Sequence, residues 1–155
     1  MRFQEAVANS EVREGYRAGL QALTERDRNR LSCQNPRKIS GSLNLDAALA
    51  QTYPNADRWD YGIGIKKTVS TDKAIWIEVH PGDVNQVSKI IEKLIWLKNW
   101  LRNNGRDLLA LTEGDYPYVW IASGRVSFQK NSPQARRLAS EGLRFPQRHY
   151  VIETR

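Results

Sequence analysis

The sequence predicts an α/β fold: a three-layer sandwich with a central mixed β-sheet and helices on both faces. Three observations lead to it. Apolar and other residues alternate over 58–66 and again over 74–80, as in strands with one buried face. A long amphipathic helical pattern follows at 82–105. Strand-like and helix-like segments then alternate to the C-terminus, which favours helices packed on a sheet.

The chain has 155 residues, which fits a single domain over 1–155. We expect residues 41–155 to form the α/β core and residues 1–40 a basic, helical N-terminal extension. The single cysteine excludes an internal disulfide and a multi-cysteine zinc site. The N-terminus lacks an apolar signal-peptide region and no stretch is apolar enough to span a membrane, so a cytoplasmic protein without a membrane partner is predicted.

The net charge of +7 is uneven along the chain. Residues 1–40 hold eight basic and five acidic residues, residues 102–155 hold nine and five, and the middle is balanced. Basic flanks favour contacts with phosphate, and nucleic acid is therefore the predicted partner. The candidate contacts are Lys66, Lys67, Lys89, Lys93, Arg136 and Arg137.

The first half of the chain has weaker signals. Helices are predicted over 1–16 and 17–31, and residues 32–42 have the composition of a linker. Ser42 is a plausible N-cap for a helix that Pro54 ends.

The two central strands have one apolar face each. Trp59, Tyr61, Ile63 and Ile65 share a face in the first, and Ile75, Ile77 and Val79 share a face in the second. The opposite face of the first strand carries Asp60 and two glycines, which allow something to approach the backbone closely. The opposite face of the second carries Trp76, Glu78 and His80.

The helix over 82–105 has two apolar faces. Its core stripe consists of Val87, Ile90, Leu94, Leu97 and Leu101, while Trp96 and Trp100 lie on another side near Lys89 and Lys93. Burial under the N-terminal segment and a homodimer interface through the two tryptophans are both compatible with this pattern. Stacking of nucleic-acid bases on the tryptophans is a third alternative.

The C-terminal third predicts a strand in 116–128, with a hairpin turn at 123–124 as one alternative. A helix follows, capped by Ser132, begun by Pro133 and ended by Gly142. A final strand is predicted in 148–154.

The acids of the central strands suggest chemistry. If the two strands are antiparallel neighbours, the start of one lies beside the end of the other, and Asp60 and Glu78 meet. Two carboxylates and a main-chain carbonyl suit Mg²⁺ or Mn²⁺, which can polarise a phosphodiester and lower the pKa of bound water. His80, two residues after Glu78, would point to the same place.

This order of elements, with an acid on one strand and E-x-basic on the next, resembles the PD-(D/E)xK nucleases, the restriction-endonuclease-like superfamily. The match covers about residues 42–126. The resemblance implies that Asp60 and Glu78 hold a metal, that His80 takes the place of the lysine, and that Asp46 is the additional acid.

The chain departs from that pattern at two positions. Trp59 precedes Asp60 where the family has proline, and His80 replaces a lysine whose charge is permanent. Lys89 and Lys93 on the next helix are candidates to supply that charge, although Lys93 lies off the core stripe. The segments GSLNLDAAL, RWDYGIG, WIEVHP and PQARRLA also resemble a small bacterial family to which no role is assigned, which implies no function.

Three interpretations of the acids remain open: an active metal-dependent nuclease, a degenerate and non-catalytic version of it, and a structural role in a homodimeric interaction module. Carboxylates of Asp60 and Glu78 that open to solvent beside positive surface would favour the enzyme. Burial of Glu78 against a fixed lysine or arginine would favour the module.

Overall fold

A computed structural model describes residues 1–154. A five-stranded mixed sheet with the strand order β1-β3-β4-β5-β6 forms its centre, and a two-stranded parallel sheet, β2-β7, lies apart from it. The strands are β1 (Tyr16–Arg17), β2 (Leu31–Cys33), β3 (Ile39–Asn44), β4 (Tyr61–Lys66), β5 (Asp72–His80), β6 (Tyr118–Ala122) and β7 (Tyr150–Ile152). The helices are α1 (Phe3–Ala8), α2 (Glu25–Arg28), α3 (Leu45–Leu49), α4 (Val87–Asn104), α5 (Arg106–Leu111) and α6 (Pro133–Ser140).

The large sheet is antiparallel from β1 to β5 and parallel between β5 and β6. Helices α4 and α5 connect β5 to β6, as a parallel pair requires. The prediction of an α/β fold with a mixed sheet is confirmed.

The two faces of this sheet are covered differently. One core packs Trp76 and Trp120 of the sheet against residues of α1, α3, α4, α5 and α6. The other core packs the isoleucines of β4 and β5 against the small sheet and the segment that holds Leu20 and Leu23. Within residues 1–154, five of the six helices lie on one face, and the other face is covered by the small sheet and by the segment that contains α2. The three-layer sandwich therefore stays a prediction.

The N-terminal 40 residues belong to the body of the fold. Phe3, Ala6 and Val7 of α1 are fully buried, and the Phe3 N–H donates to the Asp72 carboxylate at 2.7 Å. The predicted helix over 17–31 is wrong. This segment runs from the end of β1 to the start of β2, and the only helix in it is the four-residue α2, which Thr24 caps. Its leucines are spaced too loosely for one helical face, and they pack as a loop instead.

Residues 32–42 are not a linker. They contain most of β2 and the first part of β3, and Ser42 is fully buried within β3. The cap of α3 is Asn44, whose side chain accepts a hydrogen bond from the Ala47 N–H at 2.9 Å.

The C-terminal elements agree better with the sequence. Ser132 caps α6 and Pro133 begins it, as predicted. No hairpin forms at 123–124, because β6 ends at Ala122 and pairs in parallel with β5. Helix α5 was not predicted. No helix within residues 1–154 has the length and apolar character to cross a bilayer.

The glycines of β4 make room for two aromatic side chains. A Cβ atom on Gly62 would lie 2.6 Å from the ring of Trp76, and one on Gly64 would lie 2.4 Å from Phe3. The bare face predicted from the sequence is therefore occupied by the protein's own core.

We expect Gly62→Ala to lower the free energy of unfolding by about 1–3 kcal/mol, because the added methyl group overlaps a buried ring. The Trp76 Nε1–H group is held by Thr112 Oγ1 at 2.9 Å, so the ring cannot easily move aside. Urea denaturation measures the change. Gly124→Ala is the control, since nothing lies within 4 Å of its new methyl group, and equal stability of the two variants would contradict the packing argument.

Candidate active site

Asp60 and Glu78 meet where β4 and β5 separate. Tyr61 stands opposite Ile77 in the antiparallel ladder, so the residues next to this pair are neighbours across the strands. The Asp60 N–H donates to Glu78 Oε1 at 3.1 Å, and the Val79 N–H donates to Asp60 Oδ2 at 3.0 Å. Each carboxylate thus accepts from the backbone of the other strand. The predicted proximity of the two acids is confirmed.

Asp46 lies beside this pair but is turned to another partner. The N–H groups of Leu45 and Asp46 donate to the Asp60 carbonyl oxygen at 2.8 and 3.3 Å, which anchors the start of α3. The Asp46 carboxylate accepts from Arg58 Nε at 3.0 Å. Within residues 1–154, no group of three or more histidine, cysteine or acidic side chains has the arrangement of a metal site.

Glu78 is fully buried and is held by two basic side chains. Lys93 Nζ donates to Glu78 Oε2. His80 Nδ1 lies 3.5 Å from the same oxygen, and its Nε2 lies 2.7 Å from Gln86 Oε1. Asp60, Glu78, His80 and Lys93 are called the acid–base cluster below.

Lys93, and not Lys89, reaches the cluster from α4. Lys89 pairs with Asp57 at the surface, where both side chains are more than one-third exposed. Lys93 follows Lys89 by four positions and precedes Trp96 by three, so it lies on the second face of α4, off the core stripe. It reaches Glu78 because of how α4 packs against the end of β5, which the spacing along the helix does not encode.

Burial and charge shift the protonation of the cluster. Burial, with a further contribution from the Glu78 charge, raises the pKa of Asp60 to about 7. The hydrogen bond to Glu78 raises the pKa of His80 above its usual value, although burial opposes this. Asp60 therefore titrates near neutral pH, and groups with perturbed pKa values of this kind are frequent at functional sites.

The remaining predicted phosphate contacts divide into two places. Arg137 Nη1 donates to Ser88 Oγ at 3.0 Å, which ties α6 to the first turn of α4. Arg136 is exposed on the same helix, α6. Lys66 and Lys67 lie at the opposite end of β4 from Asp60, and Lys67 pairs with Glu113 at 2.8 Å. These two lysines are therefore not part of the same surface.

Trp100 is buried within its own chain. Its side chain is 3% exposed, and its Nε1–H donates to Glu11 Oε2 at 3.0 Å. Trp96 is partly buried and meets Tyr53 edge-on, with ring centroids 6.1 Å apart. A dimer interface formed by Trp100 is consequently wrong, because this ring has almost no surface to offer a second chain.

No protein-family model, curated protein or solved structure matches the chain.

The raised pKa of Asp60 predicts a pH effect on stability. Between about pH 4, its value in an unfolded chain, and about pH 7, the folded state holds a proton that the unfolded state has lost. Stability therefore falls as the pH rises through this window, and the penalty is complete above it. We expect Asp60→Asn, which keeps an acceptor for the Val79 N–H, to be more stable than the wild type by about 1–2 kcal/mol at pH 8 and not at pH 4.

Urea denaturation of both proteins between pH 4 and pH 8 measures this difference. His80, whose raised pKa also lowers stability as the pH rises, is present in both proteins and cancels in the comparison. Parallel curves for the two proteins would contradict the prediction.

Proposed function

We propose that this chain is a nucleic-acid phosphodiesterase of the restriction-endonuclease-like type that depends on Mg²⁺ or Mn²⁺, with the acid–base cluster as its active site. One observation carries the proposal: Asp60 and Glu78 are fixed side by side across two antiparallel strands, with Lys93 held on Glu78.

The position of Lys93 supplies what the resemblance lacked. The PD-(D/E)xK pattern implies a permanent positive charge next to the second acid, and the chain has histidine there. Lys93 brings an ammonium group to Glu78 from α4, so the cluster has two acids and a lysine despite the exchange at position 80. The element order α3-β4-β5-α4-α5-β6 contains the helix–strand–strand–helix–strand order on which the resemblance rests, with α5 in addition.

The donor atoms suit a hard divalent cation in part. Asp60 is partly exposed, and one of its oxygens remains for a ligand after the bond to the Val79 N–H. Glu78 Oε2 is engaged by Lys93, so an ion would have to compete with this ammonium group. Further ligands would come from the main chain, water and the phosphate itself. A bound ion of this kind polarises the phosphate and lowers the pKa of its water.

The chain's own residues have roles that follow from their places. Lys93 would stabilise negative charge that develops on the phosphate, because its Nζ contacts Glu78 within the cluster. His80 is 19% exposed and would orient the attacking water or the phosphate. Lys89 of α4 and Arg137 of α6, both at the surface, would bind neighbouring phosphates of the strand.

Cleavage of labelled single- and double-stranded DNA and RNA, with Mg²⁺ or Mn²⁺, tests the proposal. We expect Glu78→Gln and Lys93→Gln to lose at least about a hundredfold in rate, since each removes a charge from the reacting centre. Lys67→Gln is the matched control, because it removes the same charge at the far end of β4.

Two results would refute the enzyme. One is intact substrate in every assay of the wild type. The other is a Lys93→Gln variant that cleaves at the wild-type rate, provided that circular dichroism shows both proteins folded.

A second candidate is a non-catalytic module in which the cluster is structural. The complete burial of Glu78 against Lys93 favours this module, because burial of this acid against a fixed lysine or arginine is what a structural role predicts. Removing one member of a buried ion pair leaves the other uncompensated, so Lys93→Met should cost about 3–5 kcal/mol of stability. The double change Glu78→Gln with Lys93→Met should recover most of this loss.

Urea denaturation of the single and double variants measures this structural contribution. A small loss for Lys93→Met would remove the structural candidate. Recovery in the double variant, together with a wild type that cleaves no substrate, would replace the enzyme with the module.

A further inference from the structure

A cavity lies at β6, the strand next to the one that carries Glu78 and His80, and no residue of the acid–base cluster lines it. Its volume is about 350 Å³, and its walls come from β6, α6 and the segment before β7. Tyr116, at its rim, precedes the start of β6, whereas His80 of the cluster pairs with Ala122 at the other end of that strand. The volume is that of a small-ligand site rather than of a packing defect.

The charged side chains that line this cavity are all basic. Lys130 and Arg144 line it, and no acidic side chain does. An adjoining cavity, which shares Arg144 with the first, contains the acids Glu113, Asp115 and Glu153 together with Lys73. An anion would therefore be favoured in the first cavity relative to the second.

Arg144 is held between two tyrosines. Its guanidinium carbon lies 5.8 Å from the ring centroid of Tyr116 and 5.9 Å from that of Tyr150. Within residues 1–154 it forms no ion pair with a carboxylate, and its buried Nε has no hydrogen-bond partner. A guanidinium between two aromatic rings that forms no ion pair can donate to an anion.

We propose that this cavity binds a nucleoside monophosphate, either free or as the end of a nucleic-acid strand. Arg144 and Lys130 would bind the phosphate, since two cations in one cavity match a doubly charged group. The ring of Tyr116, which is 41% exposed, would stack on the base. The inference stands independently of the phosphodiesterase, because none of the residues in the acid–base cluster lines this cavity.

Isothermal titration calorimetry of the full chain with adenosine monophosphate tests the site, in the presence of a chelator so that no divalent ion contributes. We expect a dissociation constant below about 1 mM, and binding at least about tenfold weaker for adenosine and for inorganic phosphate. Adenosine keeps only the contact of the base with Tyr116, and inorganic phosphate keeps only the contact with the two basic side chains.

Variants assign the binding to the cavity. Arg144→Gln should weaken binding at least about tenfold, and the exposed Lys130→Gln, which threatens the fold less, about threefold or more. Arg148→Gln is the matched control, since it removes the same charge from an exposed position outside the cavity. Asp60→Asn should bind as the wild type does, which separates this site from the proposed active site.

The two sources of the ligand are distinguished with short single-stranded oligonucleotides that carry or lack a terminal phosphate. Stronger binding of the phosphorylated strand, lost in Arg144→Gln, identifies a strand end, and binding of the mononucleotide alone identifies a free nucleotide. The proposal is overturned if adenosine monophosphate does not bind at several times about 1 mM. It is equally overturned if folded Arg144→Gln and Lys130→Gln bind it as tightly as Arg148→Gln does.

Discussion

The end of the β4–β5 ladder depends on one pair of carboxylates. Beyond Tyr61 and Ile77 the strands separate, and Asp60 and Glu78 take over as acceptors for N–H groups that would otherwise be unsatisfied. This places two acids in a poorly solvated position, where their mutual repulsion is unfavourable. Lys93 offsets it by supplying a positive charge to the fully buried Glu78. The position of α4 against the sheet is thus tied to the same contact, because only a helix in this position brings the lysine to the end of β5.

The second apolar face of α4 contacts other parts of the chain along its whole length. Lys89 meets Asp57, Lys93 meets Glu78, and farther along Trp96 and Trp100 meet Tyr53 and Glu11. Each partner comes from outside the helix, and two of them, Asp57 and Tyr53, belong to the connection between α3 and β4. A helix with two apolar faces is therefore enclosed on both sides here, one by the sheet and the other by the connection and the N-terminal segment. The basic residues on that face pair with neighbouring acids, and this reduces the positively charged surface that the net charge of the chain suggests.

The parts of the fold that were predictable are those with strong local patterns. The alternation in β4 and β5 predicted both strands and the meeting of Asp60 with Glu78, and the stripe in α4 together with Ser132 and Pro133 of α6 predicted those helices. The N-terminal segments were missed because β1, β2 and α2 have only two, three and four residues, which is too few to show a hydrophobic period. Pairing with distant segments fixes these elements instead.

The site was only partly predictable for a related reason. The pairing of Asp46 with Arg58 and the reach of Lys93 depend on how α3 and α4 pack, which spacing along one element does not encode.

The small parallel sheet joins two segments that lie far apart in the sequence. Leu31 of β2 lies opposite Tyr150 of β7, so the cover of one whole core combines a segment near the start with the last strand. Such a pairing spans most of the sequence, and closing so long a loop delays the contact relative to local ones. On the ribosome, the isoleucine face of the main sheet must then wait for residues 150–152 to be synthesised before β7 can help to shield it. Until then the nascent chain exposes an apolar surface, and in that period it is prone to associate with other chains.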